Sequence, residues 1–131
     1  MTSVLIIGGG GMIGQKLASS FSTNDSLTLL DIGFPNKNQS NARKIIGSVG
    51  DPEIIENSLK DLPEVIYYLA SVVSGEAEAD FSKGWDVNIH AFWAFLSLVK
   101  KLNEKSHVLF YFLQYFQSLT LVYLKSQTLN F

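Results

Sequence analysis

At 131 residues the chain has the length of one domain, enough to bury about two-thirds of the surface that it exposes unfolded. Its 47% apolar content suits a globular core, and a net charge of −2 argues against a nucleic-acid or membrane-surface binder. Without cysteine there is neither a disulfide framework nor a thiolate metal site.

Val4–Ile7 is a continuous, β-branched apolar run, the pattern of a strand buried on both faces. It is not read as a signal peptide: no basic stretch precedes it, and glycine ends it after four residues. Met12–Phe21 then places Ile13, Leu17, Ala18 and Phe21 on one helical face. Leu27–Ile32 is a second strand, followed by a polar loop with Pro35 and the tract "NKNQSN". A weaker third strand spans Arg43–Val49. Asp51 and Pro52 form an N-cap and first helical residue for Pro52–Leu59. Val65–Leu69 is a fourth strand, and Phe81–Leu102 carries the longest helical pattern, with Trp85, Ile89, Phe92, Ala94, Phe95, Leu98, Val99 and Leu102 at three- and four-residue spacings. His107–Phe112 is a candidate fifth strand. Alternation of this kind predicts an α/β fold, a Rossmann-type doubly wound parallel sheet that here is incomplete, with four to five strands.

Between the first strand and helix lies "GGGGMIG", Gly8–Gly14. Gly9-x-Gly11-x-x-Gly14 and Gly8-x-x-Gly11-x-x-Gly14 both fit dinucleotide fingerprints. In such a motif one glycine makes the tight turn, the next lets a pyrophosphate approach the backbone, and the last lets helix and strand pack closely. The anion then sits on free N–H groups at the positive end of a helix. A glycine run can also be a mere flexible turn, but here a strand precedes it and a helix follows. Asp31 closes the second strand, where an acidic side chain takes the adenosine ribose hydroxyls; a carboxylate there repels a 2′-phosphate and favours NAD over NADP. Gly8, Gly11, Met12, Ile13, Gly14 and Asp31 are the primary cofactor-binding candidates.

With "GSVGDPE" (Gly47–Glu53), "YYLAS" (Tyr67–Ser71) and "DVNIHAFWAFL" (Asp86–Leu96) added to the glycine motif, the chain resembles the extended short-chain dehydrogenase/reductases, the NAD-dependent epimerase/dehydratase family. The resemblance covers roughly residues 1–108. It implies that Asp51 and Pro52 lie near the adenine, that Leu69, Ala70 and Ser71 line the cofactor, and that Asn88 lies near the nicotinamide end. Ser71–Asn88 looks more specifically like the D-erythronate dehydrogenase branch, which oxidises a small sugar acid, and implies Ser74 and Glu76 on the substrate side. A homodimer is implied for the full-length relatives, and the cytoplasm is the default location.

Each of these positions also has a plainer reading. Asp51 caps a helix; Asn88 is a buried polar group bonded to backbone; the segment holding Ser74 and Glu76 is an acidic surface loop. His90 and His107 lack partners at metal-ligand spacing, so no metal site is expected, and Trp85, Phe92, Trp93 and Phe95 read as helix packing. The sequence departs from the family as well: Tyr68 stands where histidine is usual, and Ala91 and Phe92 replace a glycine and a threonine.

The chemistry of this family rests on a Tyr-x-x-x-Lys pair, the tyrosinate taking the substrate's hydroxyl proton and the lysine lowering its pKa. Here Tyr67, Tyr68, Tyr111, Tyr115 and Tyr123 are followed four residues on by Ser71, Val72, Tyr115, Leu119 and Gln127. No catalytic residue is therefore assigned, with Asn88 a possible accessory. Residues 109–131 read as an aberrant hydrophobic tail. If Tyr111–Leu119 were encoded by TAT TTT CTT CAA TAT TTC CAG TCT TTG, skipping two bases would give Phe-Ser-Ser-Ile-Phe-Pro-Val-Phe, a serine strand of the family's kind. A truncated or frameshifted gene is the expectation. Two rivals stand beside it: a stand-alone NAD-binding or sensing module, and a membrane anchor at Val108–Leu124. The anchor is disfavoured because Gln114, Gln117, Ser118 and Thr120 interrupt a span that wants about 20 apolar residues.

Overall fold

The computed structural model describes residues 1–35, 41–71, 79–103, 109–114 and 118–122. Among these residues five strands run parallel and a sixth pairs along one edge. They are β1 (Ser3–Ile7), β2 (Ser26–Asp31), β3 (Arg43–Ile46), β4 (Val65–Tyr68), β5 (Leu109–Gln114) and β6 (Ser118–Val122). Their order in the sheet is β3-β2-β1-β4-β5-β6, and only the β5–β6 pairing is antiparallel. The expected adjacency of the first, second and fourth strands is observed, with Ile7 level with Leu30 on one side and Tyr68 on the other. The candidate fifth strand at His107–Phe112 is observed as β5, two residues later at each end, and β6, which was not expected, extends the sheet beyond it.

The continuous apolar sequence of β1 is explained by two cores. Leu5 and Ile7 face one cluster with Leu30, Ile45, Ile55, Leu59, Ile66, Tyr68, Phe95 and Val99. Val4 and Ile6 face the other with Ala18 and Leu29, flanked by Leu17, Phe21 and Tyr67. Helix α1 (Met12–Ala18) covers the second face, and helices α2 (Pro52–Leu59) and α4 (Ala91–Asn103) cover the first. Burying each such aliphatic side chain contributes about 1.5–3 kcal/mol, against about 1–2 kcal/mol to order a residue's backbone. The central strand is therefore where this sheet gains most.

Three elements are shorter or more broken than their patterns suggest, and the first is α1, which ends at Ala18 rather than Phe21. β3 ends at Ile46 rather than Val49, because Gly47–Asp51 folds into a turn: Ser48 accepts from Gly50 N–H through its hydroxyl (3.1 Å) and from Asp51 N–H through its carbonyl (3.1 Å). The long helix consists of α3 (Phe81–Trp85), a π-helical segment (Asp86–His90) and α4. Its buried face is Ala91, Phe95 and Val99. Ile89 and Trp93 lie two residues away from Ala91, roughly 200° around a helix, and with Trp85 they are exposed. Among the described residues, Trp85, Ile89 and Trp93 therefore lie outside the core that was expected to take them, Trp85 with its ring 6.4 Å from that of Phe81. Ile13, expected on the inner face of α1, is also half exposed, at 52%.

Tyr68 lies in the core, its ring 4.9 Å from Phe92 and 5.2 Å from Phe95. Burial raises its phenol above the usual value of 10.0. The stability this represents is complete below pH 10 and is lost as pH rises from there, because the unfolded chain releases the proton first. Urea unfolding between pH 9 and 11 should show stability falling, by up to about 1.4 kcal/mol per pH unit from this one group. Tyr68→Phe should flatten that slope. An unchanged slope would mean that the phenol ionises freely in the folded state.

Candidate functional site

The carboxyl ends of β1, β2 and β4 meet at the glycine loop. Gly8 and Gly9 N–H both donate to Leu30 C=O (2.8 and 3.1 Å), and Leu69 N–H donates to Ile7 C=O (2.7 Å). Gly8 turns the chain out of β1 at φ +87°, a conformation costly for a residue with a Cβ. A Cβ there would also lie 2.8 Å from Ala70 N and Leu69 C. The tight turn therefore belongs to Gly8, which selects the Gly8-x-x-Gly11-x-x-Gly14 spacing over the alternative beginning at Gly9. At Gly14 a Cβ would strike Gly8 C=O and lie 2.8 Å from Gly9 Cα, so α1 packs directly on the loop.

Gly11 differs from both. Its backbone is extended (φ −73°, ψ 168°), and a Cβ would meet nothing nearer than Gly8 O at 3.5 Å. The fold leaves space there. Gly11 is also the N-cap of α1 and offers no side-chain acceptor, and the first turn holds no acidic residue. The N–H groups of Met12 and Ile13 begin the helix, where main-chain donors lack intrahelical partners.

Asp31, half buried at the end of β2, is held from two directions. Its Oδ2 accepts from Gly10 N–H (2.9 Å) and its Oδ1 from Ile32 N–H (2.7 Å). Each oxygen keeps acceptor capacity, since a carboxylate offers about four lone-pair sites. Two residues that sequence reasoning passed over belong to this arrangement: Gly10, and Gln15, whose Nε2 donates to Gly10 C=O (2.6 Å). The signal for Gln15 was only its place just after Gly14. Ile32, 79% exposed beside Asp31, is a third such neighbour.

The remaining candidates are placed as follows. Leu69 and Ala70 back the Gly8 turn, and exposed Ser71 follows them. Asp51 caps α2 by accepting from Glu53 N–H (3.0 Å), with Pro52 as the first helical residue. Both stand at the same sheet end as Asp31, whose C=O accepts from Gly47 N–H (3.0 Å). Half-buried Asn88 lies in the π-helical segment. Ser74 and Glu76 fall outside the described residues. Among the described residues no cluster of three His, Asp or Glu suits a metal, and no helix is long and apolar enough to cross a membrane.

Residues 4–114 match the profile of the NAD dependent epimerase/dehydratase family. Among curated proteins, the chain is 33% identical to D-erythronate dehydrogenase of Cupriavidus necator, over 82% of this chain and 37% of that protein. It is 29% identical to D-erythronate dehydrogenase of Haemophilus influenzae, over 82% and 36%. The chain thus spans little more than a third of the curated relatives it matches. Among solved structures, the nucleoside-diphosphate-sugar epimerase of Agrobacterium tumefaciens superposes with a TM-score of 0.68 and 28% identity, over 80% of this chain and 34% of that one. The Bordetella bronchiseptica enzyme WbmH, solved in complex with NAD+, gives 0.67 and 21%, over 79% and 36%.

Proposed function

The chain belongs to the NAD dependent epimerase/dehydratase family, and from that premise we propose that residues 1–108 are the NAD-binding part of an oxidoreductase acting on a small sugar acid or nucleotide sugar. The observation that carries this reading is the contrast among the glycines. Gly8 and Gly14 have no room for a Cβ inside the protein, whereas Gly11 has room that the protein does not use. A cradle left open at the start of α1, with a two-sided acceptor at Asp31 beside it, suits a pyrophosphate and a ribose diol.

Hydride acceptance is the chemistry that NAD supplies in such enzymes. The chain's own contribution is binding: Gly11 admits the pyrophosphate, the N–H groups of Met12 and Ile13 face its charge, and Asp31 accepts from the ribose. Leu69, Ala70, Ser71, Asp51, Pro52 and Asn88 complete the proposed cofactor set, with Ser74 and Glu76 toward substrate. The sugar-acid preference is supported by the likeness to D-erythronate dehydrogenases. A cytoplasmic location goes with this reading. So does a homodimer, for which the exposed stripe of Phe81, Trp85, Ile89 and Trp93 offers an apolar face.

Titration calorimetry tests the core of the proposal. NAD should bind more tightly than NADP, because the Asp31 carboxylate repels a 2′-phosphate. Asp31→Ala should lower NAD affinity about tenfold, as expected for a charged hydrogen-bond acceptor, and bring the two cofactors close together. Equal binding of NAD and NADP by the unaltered protein would remove the ribose role of Asp31.

A further inference from the structure

Gly10 lies where three segments converge. Its N–H donates to Asp31 Oδ2 (2.9 Å), and its C=O accepts from Gln15 Nε2 (2.6 Å). A Cβ added to it would strike Gly33 C=O and come within 3.0 Å of Asp31 Oδ2. The glycine loop is therefore pinned from both sides of one residue. The side chain that pins it from the helix is Gln15, half buried one turn into α1.

We infer that Gln15 is a positioning residue: by fixing the Gly10 backbone it holds the Asp31 carboxylate in one orientation, and so sets the preference for a cofactor with a free 2′-hydroxyl. Asp31 has a single-residue tether to its own strand end, the Ile32 N–H (2.7 Å). That bond alone leaves the carboxylate free to swing about its Cα–Cβ bond. The second tether, from Gly10, removes this freedom only while Gly10 itself stays in place. Gly10 cannot be held by side-chain packing, since it has none, and the N-cap Gly11 adds no side-chain contact either. The Gln15 amide supplies the missing restraint. With both oxygens tethered, the remaining lone pairs are presented together, as two vicinal hydroxyls require. Linked hydrogen bonds of this kind support one another more than isolated pairs do. A freely swinging carboxylate keeps its charge but loses the paired geometry, so the diol suffers more than the phosphate-bearing ribose.

This inference rests on the cofactor reading above, and one experiment separates the two. The 131-residue protein and its Gln15→Met variant, which keeps length but lacks a donor, are compared by calorimetry with NAD and NADP. They are also compared without any cofactor, by following the Gly10 and Ile32 amide resonances as Asp31 is titrated with acid. Gln15→Met should cut the NAD-over-NADP ratio about threefold to tenfold, the range for one lost hydrogen bond. It should also weaken the Gly10 response to Asp31 while leaving that of Ile32 in place. Gln15→Lys, which keeps a donor of similar reach, should restore the Gly10 response. A protein that binds no NAD at all defeats the cofactor reading, and the cofactor-free titration still decides whether Gln15 positions Asp31. A Gln15→Met protein with the unaltered Gly10 response, or with the unaltered cofactor ratio, overturns the inference.

Discussion

Gly11→Ser should leave the protein as stable as before, or a few tenths of a kcal/mol more so, while lowering NAD affinity at least about tenfold. Gly14→Val should instead destabilise the fold by about 3 kcal/mol and lose binding with it. Position 11 already has backbone angles that any residue adopts, and its Cβ would stand in ordinary contact at 3.5 Å from Gly8 O. It is also an N-cap, where serine is preferred because its hydroxyl accepts from the first-turn N–H groups. That same hydroxyl competes for the donors that a pyrophosphate needs and fills its space. At Gly14 the obstruction is main chain, Gly8 C=O and Gly9 Cα, which cannot step aside as a side-chain tip can. Helix α1 must move off the loop. Urea unfolding paired with NAD calorimetry on both variants checks the contrast. If Gly11→Ser binds NAD as well as the unaltered protein, the open space at Gly11 is not where the cofactor approaches.

The structural places of the glycines and Asp31 were legible in the sequence because each answers a constraint local to a few residues: a turn, a close approach, a strand end. Gly8-x-x-Gly11-x-x-Gly14 and Gly9-x-Gly11-x-x-Gly14 overlap, however, and only backbone geometry separates them, through the positive φ of Gly8. The two-faced burial of Val4–Ile7 was legible for a similar reason, since a polar residue at alternate positions would have signalled a solvated face. Gln15 was not. Its bond to Gly10 depends on the path of a loop folding back over the start of its own helix, and glutamine at that place has no spacing rule.

The long third helix shows a different limit. Apolar residues at three- and four-residue spacings mark two overlapping stripes between Phe81 and Val99, and periodicity does not say which one the sheet covers. The sheet covers Ala91, Phe95 and Val99, and the ring of Tyr68 in β4 packs against Phe92 and Phe95. The π-helical segment at Asp86–His90 has no compositional signal, although such segments recur at functional positions. Asn88 lies within it.

NADH should not accumulate measurably when the 131-residue chain is supplied with NAD and D-erythronate. Binding a cofactor and using it are separate demands, and the role proposed for the glycine loop concerns only the first. Oxidation of a hydroxyl needs an acceptor for its proton, and no tyrosine in this chain has lysine four residues on. Tyr68, close in sequence to the cofactor strand end, cannot substitute. Its ring is packed against Phe92 and Phe95, and burial holds its phenol above the usual value, in the wrong direction for a base at neutral pH. Loss of general-base catalysis alone costs roughly 10²- to 10⁴-fold in rate. The measurement is absorbance of NADH at equal protein concentration for this chain and for the Cupriavidus necator D-erythronate dehydrogenase to which it is similar. Calorimetry on the same preparation should show that NAD is bound, so that silence reflects missing catalytic groups and not an empty site. Turnover within tenfold of the relative's would mean that another side chain of these 131 residues takes the proton, and half-buried Asn88 in its π-helical turn would be the first position to substitute.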